Sequence, residues 1–324
     1  MAEFWLQALL TIDATLRVAT PLILCAMAGI FSERSGIIDI SLEGKMLMSA
    51  FVAASLAATV GSPLVALGGA IAVSVGLSLI HGFACITHKG NQVVSGLAIN
   101  ILASGLTVTL GIAFFAQGGQ TPYLSRDQRF GPINLPFADV IRDIPVLGPI
   151  YAEVISGHNI LVWIALAAVF VTGYVITKTR FGLRLRAVGE KPEAVDTAGV
   201  SVILLRYKAV MIAGILCGIA GAYLSTAHGA GFVREMTAGK GYIALAAMIF
   251  GNWRPKQALY ACLMFGFLDA VAARLQGVEL PYFGQISTDL VLALPYVLTV
   301  IFLAGFIGKA TPPASIGVPY VKER

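Results

Sequence analysis

Residues 178–208 read KTRFGLRLRAVGEKPEAVDTAGVSVILLRYK, the one long polar interruption in an otherwise apolar sequence. The stretch carries seven Lys/Arg and three Asp/Glu, and it lies between apolar runs that end at Thr177 and resume at Ala209. Basic connections of this kind are usual on the cytoplasmic side of membrane proteins, where they can fix topology without binding anything. The stretch is therefore either a passive cytoplasmic loop or a docking segment for a partner.

The second half of this stretch has the signals of a short helix. Pro192 suits the first helical turn. Glu193 and Asp196 favour the positive N-terminal end, and Gly199 can close the helix in a left-handed conformation. A helix of about two turns is not stable alone and needs other elements to pack against. Small side chains would form its exposed apolar side and suit a shallow groove of another protein: Ala194, Val195 and Ala198.

Composition places the whole chain in a membrane. Its 324 residues are 57% hydrophobic and 12% charged, with a mean hydropathy of +0.84. Soluble domains have roughly 25% charged residues. The net charge of +5 needs no nucleic acid as a partner, because positive residues collect in the cytoplasmic loops of membrane proteins. Residues 1–12 lack a basic region and a small-residue cleavage site, so we do not expect a removable signal peptide.

The motifs of enzymes and metal sites are missing from the sequence. There is no GxxxxGK[ST] phosphate loop, no HExxH pair and no GxSxG elbow. We therefore expect no catalytic residues, no metal and no cofactor, and any ATP hydrolysis would belong to a partner. A membrane-embedded hydrolase would need a site such as Asp269 with Asp289. The cysteines lie inside apolar runs without metal-type spacing and are interpreted as small core residues: Cys25, Cys85, Cys217 and Cys262.

A helix that crosses the hydrocarbon core needs about 20 mostly apolar residues. This length predicts an all-α polytopic membrane helical bundle of about eight to ten transmembrane segments in a single domain, 1–324. Eight segments are long enough: 14–31, 42–60, 63–87, 91–116, 158–177, 209–227, 257–275 and 287–308. A ninth, 241–252, is about half a span before Pro255, so we expect a broken or re-entrant helix near 241–255.

The basic residues predict the orientation of the segments. If 178–208 is cytoplasmic, the residues at 88–91 and 309–324 share its side, and so does the turn at 32–36. The 117–157 loop is then external, and its three bases and four acids show no positive bias. Within segment 209–227, Gly214, Gly218 and Gly221 share nearly one face, which predicts close packing against another helix.

Three ordered motifs resemble one family. Arg186-Ala-Val-Gly189-Glu190-x-Pro192-x-Ala194-x-x-x-Ala198-Gly199 is similar to the coupling loop of permease subunits of bacterial ABC importers, in the branch that moves nucleosides and simple sugars. Glu33-Arg34-x-Gly36-x-x-Asp39-Ile40-Ser41-x-Glu43-Gly44 resembles a second motif of that branch, although Asp39 and Ser41 stand where the family usually has Asn and Gly. The third match runs from Phe232 to Ala246 and continues through Phe250 to Pro255.

The resemblance implies a cytoplasmic loop, 178–208, that binds an ABC ATPase subunit and passes on its closure. The implied coupling residues are Arg184, Arg186, Gly189, Glu190, Pro192, Glu193, Ala194, Ala198 and Gly199. Arg184 and Arg186 would anchor the loop, and Glu190 and Glu193 would pair with bases of the ATPase. The resemblance further implies a second permease subunit, expected to be a paralogue, and an extracytoplasmic substrate-binding protein or lipoprotein. The chain would then lie in the lipid bilayer of a bacterial inner membrane.

Polar residues near or within the spans are candidates for the translocation path, because such residues normally face protein or water. They are Asp39, Glu43, Asn91, Gln92, Ser95, Asn100 and Asp269. Asp39 and Glu43 crowd the start of the second helix near Lys45, and we expect a partner elsewhere, such as Arg34. They form either a buried network that fixes the bend between the first two helices or a part of the path.

Two further stretches leave two interpretations open. The turn Gly239-Lys240-Gly241 before a short helix is either the broken-helix device that exposes backbone polar groups to a cavity, or simply a turn. The external loop 117–157 either caps the helix ends or receives the binding protein.

The predicted function is transport of nucleosides by an ATP-driven importer. One alternative is the same architecture carrying a simple sugar. Another is an ion-coupled secondary transporter that titrates Asp269, Asp39 or Glu43.

Overall fold

The computed structural model describes residues 2–133, 135, 147–275, 279–280, 284–285, 293, 297 and 310–322. These residues form a bundle of helices with one small antiparallel hairpin, in which β1 (Glu279–Leu280) pairs with β2 (Gly284–Gln285). Glu279 lies opposite Gln285, and Leu280 lies opposite Gly284. The prediction of an all-α helical bundle is confirmed.

The helices follow the apolar segments of the sequence closely. They are α1 (Ala2–Arg34), α2 (Leu42–Val60), α3 (Pro63–Gly82), α4 (Gln92–Phe115), α5 (Ile160–Lys178), α6 (Arg180–Glu190), α7 (Pro192–Thr197), α8 (Val202–Tyr223), α9 (Lys240–Phe250) and α10 (Pro255–Leu275). Wider π-helical turns extend α3 through Phe83–Thr87 and α8 through Leu224–His228. The 117–157 segment holds a 3₁₀ turn (Arg126–Gln128), a helical turn (Leu147–Pro149) and a π-helical turn (Ile150–Ile155).

Six helices of the described part of the chain are long and apolar enough to cross a membrane: α1, α3, α4, α5, α8 and α10. The 19 residues of α2 also match a predicted span, although Glu43 and Lys45 occupy its first turn. The short α9 is the half-length helix that the sequence predicts before Pro255. Apart from residues 293 and 297, the predicted segment 287–308, with Asp289, lies outside the described residues.

Among the six membrane-length helices, α1 is the most buried. The apolar side chains of α1 between Leu22 and Phe31 are each at most 3% exposed. The helix packs against α5, α8, α9 and α10. A helix that is apolar on all sides is stable only inside a bundle, which explains this central place.

Glycines on α8 allow its close approach to two other helices, as their spacing predicts. A Cβ at Gly218 would lie 2.6 Å from the Cα of Ile71 on α3, and a Cβ at Gly221 would lie 2.4 Å from the carbonyl oxygen of Met46 on α2. Backbones can pack this tightly only when one partner has no side chain. The glycine face therefore holds α8 in the centre of the bundle against α3 and α2.

Connections collect at the two ends of the bundle. At one end, the C-terminal segment 310–322 binds the α6–α7 region and the turn after α1, through Ser315 to Gly189 and through Gly317 to Gly36. At the other end, Thr121 and Leu124 bond to the backbone of Phe232 and Ala230. The segments with predicted cytoplasmic placement thus share one end, and 117–133 lies at the opposite end.

Candidate functional site

A buried ion pair lies in the turn between α1 and α2. The carboxylate of Asp39 is 2.6 Å from the ammonium group of Lys45, and both side chains are fully buried. Ser41 donates a further hydrogen bond to Asp39. Burial alone would raise the pKa of Asp39, but the adjacent Lys45 holds that pKa below its ordinary value. Asp39 is therefore held in its charged form, and its contact with Lys45 fixes the bend before α2.

Glu43 closes the N-terminal end of α9. Its carboxylate accepts hydrogen bonds from the backbone amides of Gly239 at 2.8 Å and of Gly241 at 2.6 Å. Gly239 has a φ of 78°, in the left-handed region that favours glycine, and Gly241 packs directly on the backbone of Glu43. A carboxylate at this position satisfies amides that have no partner inside the helix and faces the positive end of the helix dipole.

Asn100 joins three elements beside this cap. Its side-chain oxygen accepts from the amide of Gly44 at 2.8 Å, and its side-chain nitrogen donates to the carbonyl of Ile40 at 3.0 Å and to the hydroxyl of Tyr242 at 2.8 Å. Asp39, Glu43 and Asn100, proposed separately from the sequence, thus belong to one polar cluster around the start of α2. Tyr242 is 43% exposed, so the cluster reaches the surface of the chain there.

More polar groups lie around residues 234–242, the turn that leads into α9. Ser104 on α4 donates a short hydrogen bond to the carboxylate of Glu235. Asp269 on α10 is half-buried. Asn100 is connected to the 234–242 turn through its hydrogen bond to Tyr242, whereas the ion pair of Asp39 and Lys45 is fully buried.

The other three path candidates have structural partners. Asn91 caps α4 by accepting from the amides of Val93 and Val94. Gln92 accepts from the amide of Ile38 at 2.7 Å. Ser95 lies 3.0 Å from the Nδ1 atom of His81. The polar start of α4 therefore holds the turn after α1 in place.

The expectation that Arg34 would be the partner of the acids in the α1–α2 turn is wrong. Arg34 instead donates to the backbone carbonyls of Asn252 and Trp253, 3.2–3.4 Å away. The indole of Trp253 in turn donates to Glu33 at 2.7 Å. These contacts fix the end of α1 against the turn between α9 and α10. Arg34 therefore does not pair with Asp39, whose partner is Lys45.

The α6–α7 region is more ordered than a loop. The short helix starts at Pro192 as predicted, and Gly199 follows it with a φ of 76°. Val195, predicted on the exposed apolar side, is instead buried beside Val188, Val202 and Leu205. This happens because Phe181 and Val188 give α6 an apolar side against which α7 packs. The exposed face of α7 retains Glu193, Ala194 and Ala198.

The remaining residues of the implied coupling set do not share that face. Arg184 is exposed on α6, while Arg186 turns toward α5 and the start of α10. Gly189 is buried, since a Cβ there would lie 2.3 Å from the carbonyl oxygen of Arg34. Glu190 accepts from the amide of Ala314 at 3.3 Å, and Pro192 is buried. Glu190, Gly189 and Pro192 therefore connect this region to the rest of the chain.

An arginine-rich pocket of about 460 Å³ lies at the opposite end of the bundle. Arg17, Arg126 and Arg129 line it together with His228. Asp13 pairs with Arg17 at 3.0 Å, whereas the buried Nε of Arg129 has no hydrogen-bond partner among the described residues. The pocket is suited to an anionic group.

Sequence reasoning missed several of these residues. Lys45 was visible six residues after Asp39, a spacing that a turn brings together. Ser104 gave no signal. Glu235 and Tyr242 lie inside the third motif, but their partners could not be predicted because each is far away in the sequence.

The chain resembles known permeases over most of its length. Residues 11–303 match the family described as "Branched-chain amino acid transport system / permease component". The chain is 40% identical to the guanosine ABC transporter permease protein NupQ of Bacillus subtilis, over 97% of both chains. It is 36% identical to the nucleoside ABC transporter permease protein NupC of Lactococcus lactis, covering 94% of this chain and 95% of that one. It is also 36% identical to the putative glucose ABC transporter permease protein TsgC13 of Haloferax volcanii, covering 83% and 78%. With its membrane-length helices and this match, the chain is a multi-pass membrane protein that belongs to the permease-component family of ABC transport systems.

Proposed function

We propose that this chain is a membrane subunit of an ATP-driven importer that translocates nucleosides. The observation that carries this proposal is the 40% identity to a guanosine permease across 97% of both chains. A second nucleoside permease is similar over 94% of the chain, whereas the glucose permease is similar over 83%. We therefore prefer a nucleoside to a simple sugar as the transported molecule.

The polar groups around the 234–242 turn suit a nucleoside. Ser104 and Glu235 offer a donor and acceptors for ribose hydroxyls and ring nitrogens. The half-exposed ring of Tyr242, which Asn100 holds through a hydrogen bond, offers a stacking surface. The ion pair of Asp39 and Lys45 is fully buried behind them. We therefore assign Asn100, Tyr242 and the half-buried Asp269 to the path, and Asp39 and Glu43 to its support.

The exposed face of α7 is proposed to dock in the ATPase subunit. Ala194 and Ala198 are exposed on one side of a short helix whose other side, at Val195, is anchored in the chain. Movement of α7 would therefore reach α6 and α8 through the apolar cluster, and α1 through the contact of Gly189 with Arg34. This arrangement suits the transmission of ATPase closure to the membrane helices, with 178–208 on the cytoplasmic side.

The arginine-rich pocket then lies on the external side and is proposed to receive acidic side chains of a substrate-binding protein. Arg126 and Arg129 lie in the 117–157 segment, so this segment takes part in docking and does more than cap the helix ends.

The second permease subunit is proposed to be a paralogue. Two permease proteins of Bacillus subtilis carry the guanosine name, NupQ and NupP, and the chain is 40% identical to the first and 27% to the second. This difference in identity agrees with a transporter that contains two unlike permease subunits, in which this chain corresponds to NupQ.

Uptake of radiolabelled guanosine by cells that express the chain with its neighbouring transporter genes tests the function. We expect uptake that is inhibited by unlabelled nucleosides and not by glucose. Inhibition by glucose alone would support the sugar permease. Uptake that survives ATP depletion and is abolished by an uncoupler would support an ion-coupled transporter that titrates Asp269.

A further inference from the structure

A cleft of about 950 Å³ opens at the α6–α7 end of the bundle, between α5 and the start of α10. Five basic side chains line it: Arg34, Lys178, Arg186, Arg254 and Lys256. Among the described residues, no acidic side chain lines it. None of the functions argued above uses these five bases as a group, and Arg186 points here instead of joining the exposed face of α7.

The positive charge of the cleft is not neutralised within the described part of the chain. No carboxylate oxygen there lies within 4.0 Å of a charged nitrogen of the five bases. The buried Nε of Arg186 also has no hydrogen-bond partner among the described residues. A buried donor without a partner is costly, and a bound anion would satisfy it.

The nearest acids are occupied elsewhere. Glu33 accepts from the indole of Trp253, which separates it from the cleft. Glu190 acts on Arg34 electrostatically, but its carboxylate accepts from the amide of Ala314. The cleft therefore keeps a net positive potential.

The shape of the cleft is fixed by a rigid turn. Asn252 and Trp253 adopt positive φ values of 50° and 53°, and Arg34 holds both of their carbonyls. Trp253 is only 4% exposed. This turn places Arg254 and Lys256 in the lining of the cleft that also contains Lys178.

The cleft changes from basic to apolar along α5. Lys178 and Thr177 lie at the end of that helix, and Tyr174 and Phe170 continue the lining one and two turns deeper into the membrane. Tyr174 and Phe170 are 64% and 70% exposed on a helix that is long and apolar enough to span the membrane. An ordinary water-soluble phosphate would use only the basic end, whereas a phospholipid would use both parts.

We propose that this cleft binds an anionic phospholipid, with its phosphate group among the five bases and one acyl chain along Tyr174 and Phe170. Basic pockets between membrane helices on the cytoplasmic side have the chemistry to bind such headgroups. Tyr174 lies about one turn before the end of α5, and amphipathic aromatic rings prefer the membrane interface. This site depends on the membrane location of the chain and not on the identity of the transported molecule.

Native mass spectrometry of the purified, delipidated chain tests the proposal with phosphatidylglycerol, phosphatidylcholine and inorganic phosphate as probes. The variant Arg254→Gln/Lys256→Gln removes two exposed charges of the cleft. The matched control, Lys89→Gln/Lys208→Gln, removes two exposed charges outside the cleft lining, near the same end of the bundle. We expect wild type and control to bind phosphatidylglycerol alike, and the cleft variant to bind it about 10- to 30-fold more weakly.

Arg186→Gln gives an independent measurement and should also weaken binding of phosphatidylglycerol. Equal affinity of the wild type and both cleft variants would overturn the proposal, as would equal binding of phosphatidylcholine. Displacement of phosphatidylglycerol by millimolar inorganic phosphate would identify a soluble-anion site instead of a lipid site. If the cleft variants kept their lipid and lost the ATPase subunit, the bases would belong to a protein interface, and the lipid assignment would be wrong.

Discussion

The carboxylate of Glu43 on α2 accepts a 2.6 Å hydrogen bond from the backbone amide of Gly241 on α9. A second bond, from Gly239 at 2.8 Å, makes this one side chain the cap of the half-length helix. The two amides that a broken helix would expose to a cavity are therefore satisfied by protein. The turn at 239–241 acts first as a joint between α2 and α9, and the groups free to meet a substrate lie around it.

Removing the cap should destabilise the bundle. Glu43→Ala leaves two amides without their partner, so we expect the free energy of unfolding to fall by about 2–5 kcal/mol. Glu43→Gln keeps one acceptor oxygen, so its free energy of unfolding should lie between those of Glu43→Ala and wild type. Thermal unfolding in detergent measures this, with Glu190→Ala as the control, because Glu190 is exposed and accepts one 3.3 Å bond. Equal stability of Glu43→Ala and wild type would contradict the cap.

A methyl group at Gly241 should separate α2 from α9. A Cβ there would lie 2.6 Å from both the amide nitrogen and the Cα of Glu43, whereas a Cβ at Gly68 on α3 would meet no heavy atom within 4 Å. We expect Gly241→Ala to lose about 1–3 kcal/mol of stability together with most uptake. Gly68→Ala should be neutral or slightly stabilising. If both variants unfold at the same temperature, the close contact does not exist.

The ion pair of Asp39 and Lys45 should show strong coupling. Asp39→Asn or Lys45→Met leaves the other charge buried without its partner, which costs about 3–5 kcal/mol. The double variant should lose less stability than the sum of the two, and a double-mutant cycle measures the difference. Additive losses would show that the two residues act separately.

The same pair predicts a dependence on pH. Because Lys45 holds the pKa of Asp39 below its ordinary value, its contribution to stability is present at neutral pH and is lost as the pH falls through the lowered pKa. Unfolding temperatures measured on the acid side should therefore converge for wild type and the double variant. A wild-type advantage that persists at the lowest pH would refute this assignment.

The arginine-rich pocket should determine affinity for the binding protein. Arg126→Glu/Arg129→Glu replaces attraction by repulsion, and we expect at least about 10-fold weaker association with the binding protein, most evident at low salt. Arg274→Glu is a suitable control, because Arg274 bonds to Gln7 and is not part of the pocket lining. Surface plasmon resonance with the chain in nanodiscs gives the affinities. If Arg274→Glu weakened the association with the binding protein as much as Arg126→Glu/Arg129→Glu does, the effect would come from overall charge and not from the pocket.

Local chemistry explains what could be predicted from the sequence. Pro192 and Gly199 encode the start and the end of α7 through their own backbone preferences, and the spacing of the α8 glycines encodes a close helix contact. The helix α6 was missed although Phe181, Leu185 and Val188 repeat at helical spacing, because its many bases obscured that apolar stripe.

Distant partners could not be predicted. Glu43 and Gly241 are 198 residues apart, and Arg34 lies 219 residues from Trp253. Neither the turn chemistry nor the hydropathy of either segment carries information about the other. The prediction for Arg34 failed for this reason, and Val195 was misplaced because its burial depends on the neighbouring α6.

The most direct test is co-purification of the chain, in mild detergent, with an ABC ATPase subunit expressed together with it. Wild type is compared with Ala194→Arg, which places a bulky charge on the exposed face of α7, and with His88→Arg, which places the same charge on an exposed loop. We expect wild type and His88→Arg to retain the ATPase, and Ala194→Arg to insert normally but lose both the ATPase and uptake. Retention of the ATPase and full uptake by Ala194→Arg would contradict the assignment of α7 as the coupling helix.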